Sequence, residues 1–106
     1  MVDDELSAAL RAYREAWHDY THDPARRRGE SVPSGDERFL AEIGAERGQQ
    51  LLAAVRALRA EAQRVPDPGG PLGSYADALA DWAATHPEVD RSEMRRITRE
   101  LLWAQR

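Results

Sequence analysis

SGDERFLAEIGAERGQQLLAAVRALRAEAQR, residues 34–64, is the stretch on which the fold turns. Ser34 followed three residues later by Glu37 is a capping box, in which two side chains satisfy the free amides at the start of a helix. From there Leu40, Gly44, Arg47, Leu51, Val55, Leu58, Ala62 and Val65 recur at helical spacing. The pattern ends at VPDPGGPLGS, residues 65–74, which no helix can cross. The spacing therefore predicts a long helix over 36–64. At 1.5 Å per residue it would reach about 43 Å, whereas a compact chain of this length is only about 33 Å across. Such a helix either kinks, at Gly44 or Gly48, or projects and packs against a second copy.

Three further helical patterns surround it, and no strand pattern appears. The first covers about residues 3–22, with Leu6, Leu10, Tyr13, Trp17 and Tyr20 on one stripe and Asp3, Asp4 and Glu5 suiting the positive end of the helix dipole. Another covers 74–86, opened by Ser74 with Asp77 three on and carrying Tyr75, Leu79 and Trp82. The last covers 90–105, opened by Asp90 and Glu93 and carrying Met94, Ile97, Leu101 and Ala104. A polar, Pro- and Gly-punctuated segment over 23–35 reads as a mobile loop, and 66–73 as a Pro/Gly linker. Together these give one all-α domain, 1–106, bundle-like, with four helices of which the second is long. The first helix is expected on one side of it and the last two on another.

Composition narrows the functional classes. Twenty-six residues are large and apolar and 18 are alanine, so the core relies on close helix approach. All 15 cations are arginine, with no lysine, asparagine or cysteine, a bias that fits a high-GC bacterial genome. Without cysteine there is no disulfide, thiolate metal site or cysteine nucleophile. A net charge of −4 disfavours general binding to nucleic acid or anionic membrane. The acidic opening MVDDELS reads as neither a secretory nor a transit signal, and no run approaches the ~20 apolar residues of a membrane span. A cytoplasmic protein without a membrane partner is expected.

Candidate sites are few. Within WHDYTHD, residues 17–23, His18 and His22 stand one helical turn apart and share a face with Glu15, a surface set suited to zinc or nickel. Glu15 and His18 make a Glu-x-x-His element, but the chain has no second one, and the trio faces away from the apolar stripe, so a solvated face is the plainer reading. His86, one turn beyond Trp82, is expected to cap the helix end and pack its ring. Arg26, Arg27 and Arg28 form a basic knot beside the acidic first helix. Arg47 interrupts the apolar stripe between Gly44 and Gly48. It would pair with an acid, Asp81 or Glu61, of a neighbouring copy, or hold an anionic ligand. GGPLGS lacks the preceding strand and the lysine of a phosphate loop, and no nucleophile–base–acid order is visible.

Residues 75–105 resemble a helix-turn-helix. Val89, Met94 and Ile97 have the apolar spacing of its recognition helix, Asp90 its cap, and Ala84 its small residue. The resemblance implies DNA contacts from Arg91, Arg95, Arg96 and Arg99. Pro87 and Glu88 depart from the motif, standing where an apolar residue and the turn glycine belong. Trp103 falls about 180° from Met94, on the outer side of the last helix. These features point to a non-enzymatic helical interaction module, an adaptor, regulator or immunity-type binder, with no cofactor. Its partner would be another protein or a second copy, through Trp103 or the Gly44–Arg47–Gly48 surface. The alternatives are a DNA-binding regulator and a small metal-binding protein.

Overall fold

The computed structural model describes residues 3–70 and 73–104. It is all-α, with no strand among the described residues. In chain order the helices are α1 (Asp4–Thr21), α2 (Pro24–Arg27), α3 (Gly35–Ile43), α4 (Ala45–Gln63), α5 (Ser74–Ala84) and α6 (Arg91–Ala104). Residue 105, expected to end the last helix, and residues 71 and 72 of the linker lie outside the described residues.

The long helix is broken at Gly44, one of the two places expected. Gly44 has φ +106° and ψ 147°, a conformation that only glycine adopts without strain. Its amide closes α3 by donating to Leu40 O at 2.9 Å, and its carbonyl opens α4 by accepting from Gly48 N at 2.8 Å. The break lets α3 fold back over the first turn of α4. A Cβ on Gly48 would lie 3.0 Å from Leu40 Cδ2 and 3.7 Å from Ile43 Cβ. The small residue at 48 is thus used for a close approach inside the chain.

Helix α1 packs on α3, α4 and α6, α4 packs also on α3 and α6, and α5 packs chiefly on α6. The core gathers Ala9, Leu10, Ala12 and Ala16 of α1 with Phe39, Leu51, Leu52, Val55, Leu58 and Ala62, closed by Val89, Met94 and Ile97. Alanine brings the helices together, as the composition predicts: three of the four α1 residues in this cluster are alanines. The aromatic stripe of α1 lies at the rim. Tyr13 meets Phe39 edge-on at 6.0 Å, and Trp17 meets Tyr20 at 5.5 Å. Trp17 lies flat on the start of α3, donating its indole N–H to Asp36 Oδ1 at 3.1 Å. A Cβ on Gly35 would fall 2.2 Å from that ring.

Residues 23–35 hold more structure than a loop. Asp23 caps α2, accepting from Ala25 N at 2.9 Å, and also binds Arg38 Nη2 at 2.6 Å. Arg38 Nε donates to Pro33 O at 2.9 Å. The basic knot is divided: the Arg26 guanidinium sits 4.7 Å above the Tyr20 ring, and Arg28 pairs with Glu30 at 2.8 Å. The molecule is flat, 45 × 35 × 19 Å, with a radius of gyration of 15.4 Å. A closed globule of this length would have about 13 Å. The excess reflects an open side, where α5 leans chiefly on α6.

Two glycines separate strain from crowding. Gly44→Ala is expected to cost about 1–3 kcal/mol through its backbone conformation alone, since nothing lies within 4 Å of the new methyl. Gly35→Ala should cost a similar amount, about 1–3 kcal/mol, by overpacking. Only the second should displace an indole. Urea melts measure the loss, and Trp17 emission in a Trp82→Phe, Trp103→Phe background distinguishes the causes.

Candidate functional site: the groove between α5 and α6

Helix α6 segregates its charges. Glu93 points toward α1, only 3% exposed, and binds Arg14 at 2.6 Å, with Arg11 at 3.5 Å. Glu100 points toward α4 and binds Arg59 at 2.8 Å. With Met94 and Ile97 buried between these contacts, the rotation of α6 is set. Of its four arginines, Arg91, Arg95, Arg96 and Arg99, the first two are thereby turned to the side opposite both acids, while Arg96 stands one turn from each. None of the four has an ion-pair partner among the described residues, whereas Arg11, Arg14, Arg38, Arg47, Arg56 and Arg59 all hold carboxylates.

Helix α5 is apolar on more than its core face. Tyr75 and Leu79 are buried, while Ala76, Ala80, Ala83 and Ala84 form a second file at i, i+4, i+7 and i+8. This file and α6 enclose a groove of about 540 Å³, within the range of ligand-sized sites. One wall is the alanine file. The other carries Arg91, Arg95, Thr98 and Leu102, the floor holds Met94 and Val89, and His86 and Pro87 stand at one end.

His86 also ties this hairpin to α4. Its ring packs on Trp82 at 5.2 Å. Nε2 lies 2.7 Å from Glu61 Oε1 and Nδ1 lies 2.7 Å from Glu88 Oε1, while the Trp82 indole donates to the same Glu61 oxygen at 2.9 Å. The histidine packs its ring as the sequence suggests, but it bonds carboxylates rather than helix-end carbonyls, because Glu61 of α4 lies within reach. Burial works to lower the imidazole pKa, yet hydrogen bonds to Glu61 and Glu88 and their charges outweigh it and hold it above 6.5. The His86 hydrogen bond, with Trp82 adding to it at Glu61, holds Glu61 and Glu88 below 4.5.

The residues singled out in the sequence fall in different places. Arg91 and Arg95 are brought together on the groove wall, whereas Arg96 and Arg99 are exposed outside it. Asp90 caps α6 as expected, accepting from Ser92 N at 2.8 Å. Ala84 is exposed on the groove wall instead of packing at a helix crossing, and six residues, 85–90, separate α5 from α6. A DNA-binding helix-turn-helix has a turn of about three or four. Arg47 is exposed and pairs with Glu5 of its own chain, and its Nη1 donates to Gln50 Oε1 at 2.6 Å. Within its own chain Arg47 thus already has a carboxylate partner, because α1 passes beside α4. Gly44 and Arg47 are exposed but Gly48 is buried beneath Leu40. Trp103 is 65% exposed.

Glu15, His18 and His22 lie on the solvent side. The two imidazoles stack at 4.2 Å, and His22 Nδ1 faces His18 O at 2.9 Å. Among the described residues no group of three or more histidines and acids has the arrangement of a metal site. None of the helices there is long and apolar enough to cross a membrane. The groove itself was missed in the sequence, although SYADALADWAA carries its signal: alanine at four positions on a face that Tyr75, Leu79 and Trp82 leave free. No family model, curated protein or solved structure matches the chain.

The cluster around His86 has a definite pH window. Its carboxylates contribute stability above about 4.5 and lose it as pH falls through their lowered pKa values. The imidazolium contributes fully below about 6.5 and loses its share as pH rises through its raised pKa. The melting temperature should therefore fall as pH rises above about 6.5 and through the raised imidazole pKa. His86→Gln should flatten that limb and leave the acid limb set by other carboxylates, as thermal melts across the range would record.

Proposed function

We propose that this protein is a non-enzymatic helical interaction module that docks a protein partner through the α5–α6 groove. The observation that carries the reading is the groove itself: an open trough of about 540 Å³ with an apolar floor, flanked by arginines that no carboxylate of the described chain engages. Sites that bind other molecules are concave, mostly apolar and dressed with a few polar groups, which is the pattern here. Arginine and tryptophan are also the side chains most enriched where binding energy concentrates, and Trp103 stands exposed on the same helix. An adaptor or regulator in the cytoplasm, acting by association, fits these features.

The duplex-binding reading draws on the same helix and is less well supported. It needs Arg91, Arg95, Arg96 and Arg99 to project together into a major groove. Two of them instead line a trough shared with α5, and the connection is longer than the motif's turn.

Tryptophan placed in the trough tests the docking reading. Tagged wild type, Ala80→Trp and Ala53→Trp are used to capture proteins from the native host. Both alanines are solvent-exposed, one on the groove wall and one on α4. Proteins held by wild type and Ala53→Trp should be absent from Ala80→Trp. Equal capture by all three would overturn the proposal.

A further inference from the structure

This step rests on the docking reading and asks what the groove would accept. The α5 wall is built from methyl groups alone, so it brings no large side chain to the contact. A partner must therefore supply the bulk. The alanine file runs from Ala76 to Ala84, a helical length of about 12 Å. A straight apolar trough of two to three turns is matched by another helix, whose leucine- or phenylalanine-sized residues recur at i, i+4 and i+7. Alanine surfaces permit the closest helix approach, which compensates for their small area.

Charge decides the flanks. On one side stand Arg91 and Arg95, without acidic partners among the described residues. On the other, Asp77 and Asp81 are exposed on α5 and follow the alanine file around the helix, about 60° beyond Ala80 at the nearer. The trough thus has a basic rim along α6 and an acidic rim along α5. We infer that its occupant is an amphipathic helix with a stripe of large apolar residues and carboxylates on the flank that faces Arg91 and Arg95. The two rims fix how such a helix rotates in the trough, since reversing it would set acids against Asp77 and Asp81. DNA, with phosphates on every side and no apolar stripe to fill the floor, lacks that match.

The test uses the full-length protein and three labelled synthetic helices of about 18 residues, long enough to cover the trough. All carry the same leucine stripe. One flank bears glutamate, glutamine or arginine, and the remaining surface is alanine and glutamine. In fluorescence anisotropy at low salt, the glutamate peptide should bind about 10-fold more tightly than the glutamine peptide, the sum of two partly exposed ion pairs. The arginine peptide should bind more weakly than either. Arg91→Glu with Arg95→Glu should invert the order, and about 0.5 M salt should narrow it. Ala80→Trp and, independently, Ala84→Trp should abolish binding, with circular dichroism showing that both remain folded.

Glutamate and glutamine peptides bound equally, and lost on Ala80→Trp, would overturn the acidic-flank inference while leaving the docking groove intact. No peptide binding at all, or binding indifferent to both tryptophan variants, would overturn the inference together with the groove. Tighter binding of a mixed 20-base-pair duplex, at about the same salt, and its loss in Arg96→Ala, Arg99→Ala, would replace the inference with the nucleic-acid reading.

Discussion

One carboxylate orders the second half of the molecule. Glu93 is 3% exposed, and its partner Arg14 lies 79 residues away in sequence on α1. A buried carboxylate deprived of its partner is destabilising by about 3–5 kcal/mol, so α6 has few acceptable rotations. The one adopted sinks Met94 and Ile97 into the core beside the ion pair. Neighbouring contacts hold the same arrangement. Asp3 N donates to Glu88 O, and Asp90 N donates to Ser7 Oγ at 2.9 Å, which accounts for a buried serine on α1. Seating Glu93 inward turns the arginines outward, so the basic rim of the groove follows from a contact on the opposite side of the helix.

Much of the fold could be read from local signals, because helix ends are decided within a few residues. Ser34 accepts from Glu37 N at 3.2 Å, as the capping box implies, and Asp3, read as a dipole partner, also caps α1 by accepting from Leu6 N at 3.0 Å. The helix's excess length made a break at Gly44 or Gly48, or projection onto a second copy, the readable alternatives, and the chain breaks at Gly44, where φ is positive. What local reasoning could not supply is partner choice across the chain. The Glu5 partner of Arg47 depends on α1 passing beside α4, which the stripe of α4 alone does not show. His86 meets Glu61, 25 residues earlier, only because α5 returns alongside α4. The groove was harder still, being a space left between helices rather than a set of side chains. Its alanines read as generic core filler, because the sequence does not show that α5 leans chiefly on α6.

The weak seating of α5 bears on how the molecule comes apart. Its buried residues are Tyr75 and Leu79, whereas α4 buries Leu51, Leu52, Val55, Leu58 and Ala62 together with Gly48. Beyond α6, the named ties of this helix to the rest are the Trp82 and His86 bonds to Glu61. Proteins open in cooperative units whose free energies follow such differences in buried contact. Here α5 is the helix expected to open first, whereas the turn after it stays tied to α1 through Glu88 O, Asp90 N and the buried Val89. The backbone amides of α5 should therefore exchange with solvent ahead of those in α1 and α4.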